Sequence, residues 1–197
     1  MDKNYLDKKY ISIDIETTGP TPGKYSMISL GACVIGDYSN PFYREIKPLN
    51  YNYVLGAIKI NCLGLRCLDD LRHFNELNPR HEKFDPFKVL GVLMEKGVTP
   101  QQAMKDYADW INKNTSGFNP KEVAAPIKFD GMFTAWYFDN FYDQPNPVGH
   151  NGEDILSLYR GAVGNLRAHT IQLGLRSKTD GHNALTDAVD QAREFEK

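Results

Sequence analysis

The chain has 197 residues, of which 41% are hydrophobic, 24% charged and 12% aromatic, and its formal net charge is −2. That balance belongs to a globular chain long enough for one sizeable core, and it excludes disordered, collagen-like and disulfide-stapled polypeptides. A slightly negative total also speaks against a protein that tracks long nucleic acid along a basic stripe, while leaving room for one that holds a short strand end through local charge. The three cysteines, Cys33, Cys62 and Cys67, are an odd and sparse set, which points to a reducing, cytoplasmic setting. The opening residues lack the apolar segment of a signal peptide, and no run approaches a membrane span.

In chain order, "YISIDI" (10–15) is rich in β-branched residues and leads into a Thr-Gly-Pro turn, which predicts a strand. "SMISLGACVIG" (26–36) and "FYREIKP" (42–48) predict two more, and the short turns between them favour consecutive antiparallel pairing. Residues 49–83 show no clear period. "PQQAMKDYADWINKN" (100–114) places Ala103, Tyr107, Trp110 and Ile111 at helical spacing behind a first-turn proline. "VAAPIKF" (123–129) reads as a buried strand, although Pro126 counts against it. Helices follow over 131–142, 152–163 and 183–197, the last with Leu185, Ala188, Val189, Ala192 and Phe195 on one face. Three strands followed by alternating helices and strands predict a single α/β domain over 1–197 with a mixed sheet.

Three stretches carry candidate chemistry. Asp14 and Glu16 are two apart in a strand and so share a face at its C-terminal end. Two close carboxylates lose hydration and repel, so one is protonated or a cation sits between them, and hard divalent ions such as Mg²⁺ suit such oxygen donors. The plain alternative is a frayed strand end with both acids solvated. In "HNALTDAVDQA" (182–192), His182 and Asp187 would be about 140° apart on a regular helix. They converge if His182 precedes the helix, Asn183 caps it and Asp187 lies in its second turn; otherwise they are a loop histidine and an exposed acid. In "APIKFDGMF" (125–133), Asp130 follows an apolar strand and precedes a helix, where α/β folds collect ligand-binding residues. An N-cap aspartate is its structural alternative.

Taken together, "DIETTG" (14–19), "FD" (129–130) and "HNALTDA" (182–188) resemble the DEDDh 3′–5′ exonucleases. The likeness spans 10–48 and 98–197 and leaves 49–97 as a poorly matched, lid-like or inserted region. The outer two motifs are specific and the middle one is weak. Asn183 stands where the related tyrosine subclass would carry Tyr, and His182 where the histidine subclass carries its histidine. The resemblance implies a ribonuclease H-like fold, with helices on both faces of a mixed central sheet of about five strands. It implies a metal-dependent 3′–5′ exonuclease of DNA or RNA that releases mononucleotides by a two-metal mechanism. Asp14, Glu16, Asp130 and Asp187 would hold two divalent ions, Mg²⁺ or Mn²⁺, and His182 would be the general base. Thr17 and Thr18 would meet the terminal nucleotide, unless they are plain turn residues. A non-catalytic nucleic-acid-binding or assembly module that keeps the fold is the alternative; such modules normally lack some ligands, and all five side-chain types are present.

Other features compete. "GHNGED" (149–154) offers His150 and Asp154 as rivals, with Asp154 better suited to a helix start or a buried acceptor. Phe129, Phe133, Trp136, Tyr137, Phe138, Phe141 and Tyr142 are expected in the core, with one or two left to stack on bases. Lys128, Arg160, Arg167, Arg176 and Lys178 suit a solvated surface better than phosphate contacts. Cys62, Cys67, His73 and His81 fit no standard zinc spacing. The modest charge leans toward a single-stranded or short 3′ end as partner.

Overall fold

The computed structural model describes residues 7–174 and 182–197; Arg176, Lys178 and Gly181 lie outside the described residues. Five strands form one sheet in the order β3-β2-β1-β4-β5: β1 (Lys8–Thr17), β2 (Met27–Val34), β3 (Asp37–Glu45), β4 (Asn119–Ala124) and β5 (Gly152–Asp154). The first three pair antiparallel, whereas β4 joins β1, and β5 joins β4, in parallel. This is the mixed α/β sheet expected.

Alternation along β1 divides its side chains between two environments. Ile11, Ile13 and Ile15 enter the main core with Leu30, Ala32 and Phe42. That core is closed by α3 (Pro100–Asn114) and α4 (Ile127–Phe141), through Met104, Tyr107, Phe133 and Tyr137. The opposite face carries Ser12, Asp14 and Glu16 and is covered by α6 (Ala184–Phe195), which packs on β1 and β2. The expected face of α3 is buried at Ala103, Tyr107, Trp110 and Ile111, behind a Thr99 cap that accepts from the Gln102 amide at 3.2 Å.

The segment without a period turns out to be structured. It holds α1 (Leu55–Asn61) and two short 3₁₀ turns, and α2 (Pro86–Lys96) follows it. Ile58, Cys62, Leu65, Leu68, Leu90 and Leu93 pack with Ile28 of β2 into a second, smaller core. The irregular helices explain why periodicity failed there, since elements of one or two turns cannot establish a 3.6-residue repeat.

Two boundaries differ from expectation. The predicted strand 123–129 ends at Ala124, and α4 begins at Ile127 rather than 131. Pro126 has no N–H for the ladder, and the Ile127 amide is taken by the Asp154 carboxylate at 3.2 Å, so the chain turns into a helix there. The predicted helix 152–163 is split into β5 and α5 (Ile155–Val163), because residues 152–154 extend the sheet beside β4. Among the described residues no helix is long and apolar enough to cross a membrane.

Candidate active site

The parallel pairing of β1 with β4 runs only from Lys8 to Ser12. Beyond it the strands part, and a cavity of about 330 Å³ opens at their C-terminal ends, the place where open α/β sheets bind ligands. Its lining includes Asp14, Glu16, Asp130, His182 and Asp187. Five residues drawn from β1, α4 and the start of α6 therefore share one crevice.

Each arrives for a local reason. Asp14 and Glu16 follow from the two-residue period of β1. Asp130 lies inside the first turn of α4, not between strand and helix, and its Oδ1 accepts the Ile15 amide of β1 at 3.1 Å. It thus satisfies a backbone donor that the parting of β4 leaves without a strand partner. Asp187 is in the first turn of α6, earlier than expected, because Asn183 caps the helix and accepts from the Leu185 and Thr186 amides at 3.1 and 3.2 Å.

Two glycines permit the approach of this helix. Gly31 is paired with Asp14 across the β1–β2 ladder, and a Cβ on it would lie 2.3 Å from the Ala184 carbonyl. A Cβ on Gly64 would lie 2.1 Å from the His182 carbonyl, and the Gly64 carbonyl accepts from the Asn183 amide group at 2.7 Å. The segment that matched no motif thus clamps the His182 stretch against the sheet. Asn61 of α1 also lines the cavity while donating to the Thr17 carbonyl at 2.7 Å.

The electrostatics are those of crowded, dry acids. One ligand atom from each of Glu16, His182 and Asp187 lies within 4.8 Å of the others. Glu16 is buried, and burial, then the charges of Asp187 and Asp130, hold its carboxyl well above the usual range. Asp130 is pushed up to about 7, chiefly by burial, although the Ile15 N–H bond pulls the other way. His182 is exposed at the mouth of the crevice. Hard oxygen donors whose charges are costly unless neutralised suit a divalent cation.

Thr17 and Thr18 are not presented to this crevice. Both are buried; the Thr17 hydroxyl donates to the Gly19 carbonyl at 2.9 Å, and the Thr18 hydroxyl accepts the Ser26 amide at 2.9 Å. Their hydroxyls are engaged within the turn, and neither residue lines the crevice. The rival Asp154 caps α5, accepting from Ser157 at 2.8 Å, and His150 borders a different cavity of about 890 Å³. Of the aromatics, Phe133, Tyr137 and Phe138 are core, and Phe129 reaches the crevice. Cys62 belongs to the smaller core, and among the described residues no zinc-like cluster forms around it. Sequence reasoning did not single out Asn61, Asp190 or Gln191, which also line the crevice. Gln191 was discoverable, being one helical turn beyond Asp187 on the same face.

The mixed sheet with an acidic crevice at the C-terminal ends of its parting strands is the arrangement expected of a ribonuclease H-like fold. Comparison with known proteins narrows this. No family model matches the chain. The 3′–5′ DNA exonuclease Cap18 of Escherichia coli is 32% identical over 195 residues, covering 94% of this chain and 89% of Cap18. Among solved structures, the nuclease domain of 3′hExo, a DEDDh family member bound to rAMP, superposes with a TM-score of 0.64 at 14% identity, over 98% of this chain and 91% of that one. Exonuclease I of E. coli in complex with a dT13 oligonucleotide gives 0.60 at 15% identity, over 95% of this chain and 40% of that one. The chain belongs to the DEDDh family of 3′–5′ exonucleases, phosphodiester hydrolases that act from the 3′ end of a nucleic acid.

Proposed function

We propose that this chain, as a single exonuclease domain, removes mononucleotides from the 3′ end of single-stranded or short DNA. Asp14, Glu16, Asp130 and Asp187 act as ligands to two divalent ions, Mg²⁺ or Mn²⁺, and His182 is the general base. The convergence of Glu16, His182 and Asp187 within 4.8 Å at a strand-end crevice is the observation that carries this reading. The name of the curated relative favours DNA over RNA.

When bound, such ions neutralise the clustered acids and supply Lewis acidity toward the phosphodiester. The protein's own groups do the rest. Glu16 and Asp130 sit where burial makes a free carboxylate costly, so the site is primed to exchange protons for cations. His182 reaches the same space from the solvent side, where an imidazole can take a proton from an attacking water and pass it outward. The half-buried Asp187 stands between the deep Glu16 and the exposed His182 in accessibility, so metal-holding and proton-taking groups share one opening. Residues 49–97 serve as the wall that positions His182, through Gly64 and Asn183.

The test is a 5′-labelled oligodeoxynucleotide incubated with Mg²⁺, Mn²⁺ or a chelator, beside an RNA of the same sequence and a closed circular single strand. A ladder shortening from the 3′ end of the DNA, abolished by chelation and absent on the circle, is expected. Wild-type protein and Asp14→Ala equally inert with both metals would favour the non-catalytic binding module instead.

A further inference from the structure

Gln191 sits on α6 one turn beyond Asp187, is 4% exposed, and spans two elements with one amide. Its Nε2 donates to Asp14 Oδ1 at 2.8 Å, and its Oε1 accepts the backbone amide of Ala125 at 2.6 Å. The two partners have opposite polarity. A backbone N–H can only donate, and an ionised carboxylate can only accept, so the amide is oriented without ambiguity. No other side chain of that length offers a donor on one branch and an acceptor on the other: glutamate would oppose Asp14 with a like charge, and methionine would leave both groups without this bond.

We propose that Gln191 is a positioning residue that fixes the Asp14 carboxylate for metal and ties it to the β4–α4 turn. The inference rests on the metal-site reading above. Ala125 immediately precedes Pro126, and the helix that follows carries Asp130, whose carboxylate returns to Ile15. Asp14, Gln191, Ala125, Asp130 and Ile15 therefore make a bonded circuit around the crevice through α6, the β4–α4 turn and β1. Because Asp187 is on the same helix as Gln191, the circuit sets three of the four acids in register before any cation arrives. Outer partners of this kind orient ligands, and their loss typically costs about 10–100-fold in metal affinity or activity.

Calorimetric titration of the metal-free chain with Mn²⁺, together with its thermal unfolding, tests this. Gln191→Met, close in volume, is expected to weaken Mn²⁺ binding about 10-fold or more. Its metal-free melting curve should remain cooperative. Gln191→Asn, one methylene too short to span both partners, should behave alike, and it replaces the Met variant if that one does not fold. If Gln191 acts through Asp14, the double variant Asp14→Asn/Gln191→Met should bind Mn²⁺ no more weakly than Asp14→Asn alone. A Gln191→Met protein that binds Mn²⁺ like the parent overturns the positioning role and leaves the metal site standing; so does a double variant in which the two losses add. A parent chain that takes up no Mn²⁺ at all removes the metal site itself, and the positioning role with it.

Discussion

Two stretches of this chain read almost alike, "GHNGED" at 149–154 and "HNALTD" at 182–187, and the structure puts them to different uses. In the first, the aspartate is itself the helix cap: Asp154 accepts from Ser157 on one oxygen and from Ile127 on the other. Its carboxylate is fully engaged in joining α5 to the start of α4, and His150 stands exposed beside the larger cavity. In the second, Asn183 takes the cap, which leaves Asp187 to face Glu16 and His182. The lesson is about which residue satisfies the orphan amides at a helix start. When an asparagine does so, an acid in the first turn is released for chemistry; when the acid does so, it becomes masonry.

Breaking the pair of aspartates should give the largest contrast. Asp187→Ala is expected to reduce exonuclease turnover by more than the roughly 10–100-fold that loss of an outer partner of a metal site costs. Asp154→Ala should leave the turnover of its folded fraction near that of the parent. Abolished turnover in Asp154→Ala at unchanged melting temperature would reverse the assignment of the two stretches. The histidines come next. His182→Ala should retain Mn²⁺ binding by calorimetry while losing about 10²–10⁴-fold in turnover, the usual worth of a general base, whereas His150→Ala should change neither. Loss of Mn²⁺ affinity as complete as in Asp14→Ala would make His182 a ligand rather than a base.

A pH series sharpens the comparison further, because each cavity adjoins a buried acid. Asp130, by the crevice, is pushed up to about 7, mainly by burial. Glu122, which reaches the larger cavity, is raised to about 7 by burial against the opposing bonds from Tyr107 and Thr134. In the unfolded chain such groups lose their protons near pH 4. Between that value and about 7 the folded state holds more protons, so these acids make the metal-free protein less stable as pH rises through the window. The melting temperature without metal should therefore fall between pH 5 and pH 8. Mn²⁺ should recover the part due to the crevice acids, and Glu122→Gln should remove the part that Mn²⁺ cannot. A melting temperature that climbs across the window in the metal-free protein would contradict the direction of both shifts.

How much of this was legible in the sequence follows from how local each cause is. The facing of Asp14 and Glu16 is a consequence of strand period alone, and the Asn183 cap is a consequence of side-chain chemistry at one position; both could be read from the letters. The position of Asp130 could not, because the helix start at Ile127 depends on a carboxylate twenty-seven residues later, Asp154, reaching its amide. The burial of Thr17 and Thr18 depends on Ser26 and on the return of residues 54–61 over the end of β1. The spacing of Gln191 from Asp187 could be read from the letters, but its two partners, Asp14 and Ala125, are distant in the chain, and only the fold brings them to one amide. The second core was hard to read because, apart from α2, it is assembled around Ile28 from elements of one or two turns, each too short to carry a period of its own.

The smallest expected effect compares the two caps directly. Asn183→Ala removes the acceptor for the Leu185 and Thr186 amides and also the bond from its amide group to the Gly64 carbonyl. Asp154→Ala removes the acceptor for Ser157 and for Ile127. Each should cost about 1 kcal/mol, the ordinary value of a helix N-cap, and lower the melting temperature by a few degrees. The difference lies in what else moves. Loss of Asn183 loosens the His182 stretch from Gly64, so turnover should fall several-fold at saturating Mn²⁺ with little change in Mn²⁺ affinity. Loss of Asp154 frees the Ile127 amide at the start of α4, but the Ile15 amide still holds Asp130 in the crevice, so the effect should appear chiefly in melting and far less in turnover. Equal turnover in the two variants would mean that residues 62–65 support the fold alone, and that His182 finds its place without them.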